Sequence, residues 1–363
     1  MPVTEAQIID ALREVRDPEL GKDVVSLGMI KDLKVQGANV AFTLELTTPA
    51  CPVRDEFQET VRSAVAGLPG VAGVQVNMTA QVRGAIGGGE ALLPGVRNIV
   101  AIGSGKGGVG KSTVSVNLAL ALHRLGATVG LLDADIYGPN VPLMMGINDG
   151  APAQGDGKLT PIESYGVKLM SMGFFIPDGQ AVVWRGPMIH GAIQQMLRDV
   201  DWGELDYLLV DLPPGTGDAS LSLAQLVPMT GCVIVLTPSE VALQDGAKAI
   251  AMFRKLNVPV LGMIENMSYL LHPDLKEPLD VFGRGASKKI AQQYAIDFLG
   301  EIPLDPAVRI GGDDGVPVVE GSPEGLPAKT FMDIARKLAG KISVQNLNRQ
   351  EAIPINMFTA PKG

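Results

Sequence analysis

The stretch Ile99-Val100-Ala101-Ile102-Gly103-Ser104-Gly105-Lys106-Gly107-Gly108-Val109-Gly110-Lys111-Ser112-Thr113 decides how this chain is read. Four apolar residues of strand length run into a glycine-rich loop, and an apolar-periodic helix is predicted to begin near Lys111. Gly105-x-x-x-x-Gly110-Lys111-Ser112 has the full Walker A spacing in the strand-loop-helix setting that this motif needs. Glycines let backbone N–H groups converge on phosphate oxygens, and the helix N-terminus adds a positive partial charge. Lys111 is therefore expected to reach the β- and γ-phosphates of ATP, and the Ser112 hydroxyl to ligate magnesium.

On either side of this loop, short apolar runs alternate with longer helical patterns. Val129 to Leu132, Tyr207 to Val210, Val233 to Leu236, Val260 to Ile264 and Phe298 to Ile302 are continuous rather than alternating, as strands buried on both faces are. The predicted fold is α/β: a doubly wound, mostly parallel P-loop NTPase sheet, preceded by a small α/β domain. Ligands of such sheets bind beyond the carboxyl ends of the strands. Two acidic strand ends fall there, Leu131-Leu132-Asp133-Ala134-Asp135 and Tyr207-Leu208-Leu209-Val210-Asp211. Asp211 is the expected magnesium-associated carboxylate, Asp133 its support and Asp135 the residue that orients the attacking water. Pro213 to Asp218 has the composition of a segment that meets the γ-phosphate and moves after hydrolysis. Asn266, in Glu265-Asn266-Met267-Ser268, offers an amide donor and acceptor that suit the adenine edge.

The expected boundaries are 1–83 for the small domain, 84–96 for a glycine-rich linker, 97–345 for the P-loop domain and 346–363 for a tail. In the small domain, Thr4 and Gln7 form a capping box ahead of Ile8 to Val15. Val40 to Leu46 alternates as a half-buried strand, a helix is expected from Pro52 to about Ala66, and Val74 to Met78 reads as a strand. Cys51 falls at the expected N-cap with Pro52 at the first helical position, so the helix dipole is expected to favour its thiolate and make it a candidate metal ligand. Cys232, the other cysteine, begins an apolar strand and reads as a buried small hydrophobe.

Composition narrows the partners. Of 363 residues, 30 are basic and 39 acidic, a net charge of −9, which is the wrong sign for a phosphate-backbone binder. The early Glu5 and Asp10 do not fit a secretory leader, and Gln225, Pro228 and Gly231 interrupt the longest uncharged stretch, Ala219 to Ser239. The expectation is neither nucleic acid nor membrane as partner. With two cysteines no disulfide framework is available, and a reducing, cytoplasmic compartment fits.

The string Gly105-Lys106-Gly107-Gly108-Val109-Gly110-Lys111-Ser112-Thr113, with a second lysine inside the loop, resembles the deviant Walker A ATPases. Together with Asp133 to Asn140, Asp211 to Asp218, Glu265 to Ser268 and, in the small domain, Asp17-Pro18-Glu19-Leu20, Val25 to Met29 and Thr48 to Pro52, it resembles the Mrp/ApbC iron–sulfur cluster carriers. The resemblance implies a homodimer in which Lys106 crosses to the partner's phosphates, ATP hydrolysis, and hand-over of a [4Fe-4S] cluster to apo-proteins. It also places Asn266 at the adenine. Where that family usually carries Cys-Pro-x-Cys, this chain has His272-Pro273-Asp274-Leu275. Any cluster is then expected to be labile and to depend on Cys51, with His272 as a further candidate ligand. Two rival functions stand beside the carrier: a nucleotide-switched assembly scaffold holding no cluster, and a partitioning or positioning ATPase. The latter wants a basic track-binding surface, whereas the tail from Ile342 has only Arg349 and Lys362 as basic residues.

Overall fold

The computed structural model describes residues 3–51, 53–84, 92–148, 150–155, 157–175, 186–215, 217–271 and 277–351. The chain divides into two compact units, one built on the residues up to Arg83 together with the chain from Ala339 onward, the other on Gly84–Leu338. The long C-terminal helix is thus shared out between them, whereas the sequence reading kept residues up to 345 with the P-loop domain.

The first unit contains α1 (Glu5–Arg13), β1 (Ile30–Gln36), β2 (Asn39–Leu46), α2 (Arg54–Ala66) and β3 (Gly73–Ala80). Thr4 caps α1 reciprocally with Gln7, as the capping box requires. β2 runs antiparallel to β1 and parallel to β3. Its alternate residues Val40, Phe42, Leu44 and Leu46 are buried against Ile8, Leu12, Phe57, Val61 and Val65 of the two helices. The strand β1 escaped the sequence reading because an irregularity in its pairing between Lys31 and Lys34, with Asp32 at φ 50°, breaks its alternation. Helix α2 starts later than expected. Its first turn closes with the Phe57 N–H on the Val53 carbonyl at 2.8 Å, so Val53 and not Cys51 is the N-cap.

The second unit is built on β4 (Val96–Gly103), α3 (Lys111–Arg124), β5 (Val129–Asp133), α4 (Val141–Met144), β6 (Ala153–Gly155), β7 (Lys158–Thr160), β8 (Ile162–Ser164), β9 (Val167–Ser171), α5 (Gly186–Arg198), β10 (Leu205–Asp211), α6 (Asp218–Leu226), β11 (Gly231–Leu236), α7 (Glu240–Lys255), β12 (Val260–Glu265), α8 (Ala286–Gln293), β13 (Phe298–Glu301), α9 (Pro306–Asp313) and α10 (Val318–Gly321). Helix α11 (Leu326–Glu351) begins here. The main sheet has the order β13-β12-β11-β4-β10-β5-β9-β8, parallel throughout except for β8, which is antiparallel to β9; β6 and β7 form a separate hairpin. The chain leaves β4 on one side for β5 and returns across it to reach β11, so the switch in strand order lies at β4, above which the glycine-rich loop stands. β9 was missed because Lys168 interrupts its apolar run; the ammonium group turns away to donate to the Trp202 carbonyl at 2.8 Å.

The end of β12 carries a fully buried carboxylate. Glu265 accepts from the Ser268 hydroxyl at 2.6 Å and from the Gly285 and Ser287 N–H groups at 2.9 and 2.8 Å, which pins the N-terminus of α8 against the strand. Glu265→Ala leaves these three donors without their acceptor and is expected to lower unfolding stability by roughly 2–4 kcal/mol, measured by urea denaturation; a loss under about 1 kcal/mol would show that the bonds are replaced by water at no cost.

Candidate functional site: the glycine-rich loop and its carboxylates

Each glycine of the loop that matters has an identifiable reason. A Cβ on Gly105 would lie 2.3 Å from the Asp245 carbonyl oxygen of α7, so the loop can pass there only without a side chain. Gly108 and Gly110 have φ of 76° and 75°, the left-handed region that lets the chain turn its N–H groups inward before α3 begins. Asn266 reaches in from the end of β12 and donates its Nδ2 to the Val109 carbonyl at 2.9 Å. The Ser104 hydroxyl donates to the Lys106 carbonyl at 2.9 Å, and the Gly215 N–H donates to the Ser104 carbonyl at 3.1 Å, which ties the segment after β10 to the loop.

Parallel register brings the acids together. Asp211 pairs with Ile102 of β4 on one side and with Asp133 of β5 on the other, so two carboxylates leave neighbouring strands at the same level. Both are fully buried. Lys111, itself only 6% exposed, sets its Nζ 2.7 Å from Asp211 Oδ1. Ser112 donates to Asp211 Oδ2 at 2.6 Å, and Ser115 to Oδ1 at 2.6 Å. Asp133 accepts from the Ser171 hydroxyl at 2.9 Å, the Asp135 N–H at 3.1 Å and the Val141 N–H at 3.4 Å. Burial, and then the charge of Asp211, push the Asp133 carboxyl up to about 8. Asp135 is half-buried, accepts from the Gly138 N–H at 3.4 Å, and is raised by burial while Lys111 pulls the other way.

The structure therefore gathers Gly105 to Thr113, Asp133, Asp135, Asp211 and Asn266 at the carboxyl end of the sheet. Lys106 sits half-buried in the loop. Ser115 and Ser171, which grip the two buried carboxylates, were missed: Ser115 lies one helical turn beyond Ser112 on the same face of α3, and Ser171 ends the apolar strand beside Asp133. Cys51 belongs to the first unit. It is half-buried, and burial, with Glu19 and Asp17 nearby, pushes its thiol up to about 11 although the Val53 N–H opposes this. The expected thiolate-favouring N-cap is thereby overturned, because the helix starts at Arg54. Cys232 is fully buried and its thiol is pushed well up, as for a packed strand residue. His272 and Thr216 lie outside the described residues.

Residues 95–339 match the model of the NUBPL iron-transfer P-loop NTPase family, and residues 5–77 match an iron–sulfur cluster assembly protein model. The chain belongs to the NUBPL iron-transfer P-loop NTPase family. Its relatives include an iron–sulfur cluster carrier protein of Deinococcus radiodurans, 53% identical over 350 residues that cover 96% of this chain and 99% of the relative. Another carrier protein, from Synechocystis, is 49% identical over 357 residues, covering 95% and 99% of the two chains. Among solved structures, a nucleotide-binding protein of Archaeoglobus fulgidus in complex with ADP is 41% identical with a TM-score of 0.55, covering 61% of this chain and 87% of that one. The cell division ATPase MinD of Pyrococcus furiosus is 25% identical with a TM-score of 0.50, covering 66% and 97%. The fold of this family's member is thus a MinD-like P-loop NTPase sheet. No described helix is long and apolar enough to cross a membrane.

The raised Asp133 carboxyl sets a pH dependence. Its folded pKa of about 8 lies above the ordinary carboxylate value, so between about pH 4 and pH 8 the native state holds more protons than the unfolded chain. Stability of the nucleotide-free protein is therefore expected to fall as pH rises through that window, and Asp133→Asn to flatten the slope and melt higher at pH 8; parallel melting curves across pH for the two proteins would contradict this.

Proposed function

We propose that this chain is a magnesium-dependent ATPase that binds an iron–sulfur cluster as cargo and hands it to apo-proteins, acting as a cytoplasmic homodimer. The observation that carries the reading is the buried Lys111–Asp211 pair at the mouth of a phosphate-binding loop, in a chain 53% and 49% identical to two proteins named as cluster carriers. In this reading Lys111 exchanges Asp211 for the β- and γ-phosphates. The backbone N–H groups of Gly105 to Thr113 cradle the phosphate chain. Asp135 orients the attacking water from its half-buried position. Lys106 reaches the nucleotide of the second copy, and Asn266, whose Nδ2 already holds Val109, keeps its second N–H and its oxygen for the adenine edge.

The donors at the loop fit magnesium. Ser112, Asp211 and Asp133 offer hard oxygens beside the phosphate site, and among the described residues no group of three or more acidic, histidine or cysteine side chains is arranged to hold an ion by itself. Phosphate oxygens and water would complete the shell, with Ser112 and Asp211 as ligands and Asp133 behind them. Bound there, the ion would supply charge neutralisation to the phosphates.

For the cargo, Cys51 is the thiol the chain offers outside its sheet core. Two copies bring two, and small thiols, His272 or the recipient protein complete the four ligands that a [4Fe-4S] cluster needs. The scaffold reading, in which no cluster is held, remains the rival, and reconstitution separates the two. Anaerobic loading of the wild type is expected to give iron, sulfide and a visible absorbance band that Cys51→Ala lowers at least severalfold and Cys232→Ala does not. In the same samples Lys106→Ala is expected to abolish the doubling of mass that a slowly hydrolysed ATP analogue induces in light scattering. A wild type that takes up no cluster under any condition moves the assignment to the scaffold.

A further inference from the structure

Asp211 is held by three donors, and two of them converge on one oxygen. Oδ2 accepts from Ser112 at 2.6 Å; Oδ1 receives both the Lys111 ammonium at 2.7 Å and the Ser115 hydroxyl at 2.6 Å. Ser115 is fully buried and lies one turn further along α3 than Ser112. Its hydroxyl also lies 3.1 Å from the Lys111 carbonyl. A hydroxyl has one proton to donate, and the shorter approach to the charged oxygen takes it.

The arrangement is redundant only while Lys111 stays where it is. A lysine that neutralises phosphates has to leave Asp211, and the carboxylate then loses the charge that fixed one of its oxygens. In a buried strand end, a carboxylate with a bare oxygen turns toward whatever donor it finds, and Oδ2 no longer points toward Ser112. We propose that Ser115 is a positioning residue that keeps Asp211 aimed at the metal site once Lys111 has moved to the nucleotide. The proposal rests on the ATPase reading above. It assigns to Ser115 no contact with nucleotide or metal: the residue acts through Asp211, by holding Oδ1 while Ser112 holds Oδ2. Ser171 does the corresponding work on Asp133, whose Oδ2 it holds at 2.9 Å, but no lysine competes there and no exchange of donors follows.

The consequence is a split between two affinities. Lys111 and the loop backbone bind phosphate whether or not magnesium is present, whereas the extra affinity that magnesium brings depends on how Asp211 is oriented. Ser115→Ala suits a helix interior and fills nearly the same space, so the fold is kept. Binding of a fluorescent ATP analogue is measured for wild type and Ser115→Ala, each with magnesium and with EDTA. The expected result is unchanged affinity in EDTA, within about twofold, and a roughly tenfold loss of the magnesium-dependent enhancement, the size of one hydrogen bond to a charged group. Ser115→Cys, which keeps a weak donor, should fall between. Equal enhancement in wild type and Ser115→Ala overturns the role of Ser115 while leaving the nucleotide site standing. Equal losses in both conditions overturn it too, since they mark a residue that merely packs. A wild type with no magnesium enhancement at all overturns this proposal together with the metal-site reading on which it rests.

Discussion

The ion pair between Lys111 and Asp211 is the interaction around which the second unit is organised. Burying two charges costs more than their mutual attraction returns unless every remaining lone pair and proton finds a partner. Here the acid takes two serine hydroxyls as well as the ammonium group, from three residues of one helix. Such an arrangement is a poor choice for stability alone. It makes sense on the proposed reading, in which phosphate would take over Lys111 and a cation would take over Asp211.

Everything that positions this pair follows from strand register. β4, β10 and β5 are adjacent and parallel, and their paired ends put Ile102, Asp211 and Asp133 at one level. The glycine-rich loop leaves β4 at that level and returns as α3, so Lys111 faces Asp211 by topology. The cost of the arrangement falls on Asp133. It is the second carboxylate in a dry site, and burial, followed by the charge of Asp211, pushes it up to about 8. Gly105 and Asn266 serve the same end from outside: the first lets the loop lie against α7, and the second holds it from β12.

Much of this was legible in the residues. Continuous apolar runs gave away the buried parallel strands, and acids at their ends marked Asp133 and Asp211, because a run of apolar residues ending in a carboxylate has little other use. What stayed hidden had physical causes. The irregular pairing of β1 destroys its alternation, and Lys168 disguises β9 by burying its stem while sending its charge to a carbonyl. Serine carries no pattern of its own, so Ser115 and Ser171 show their purpose only when a carboxylate is seen beside them. The reading of Cys51 as an N-cap failed on a boundary of two residues: Cys-Pro looked like a cap and first turn, but the first helical hydrogen bond closes on Val53. That shift takes Cys51 off the cap position, and burial, aided by two acids, outweighs the Val53 N–H.

If Lys111 and Asp211 are set to be parted by nucleotide, phosphate release from ATP in the presence of magnesium depends on both of them. The wild type is expected to show measurable turnover, Lys111→Ala a fall of at least a hundredfold, because the phosphates lose their counter-charge, and Asp135→Ala a loss in turnover with nucleotide affinity retained. Wild-type turnover in Lys111→Ala would contradict it.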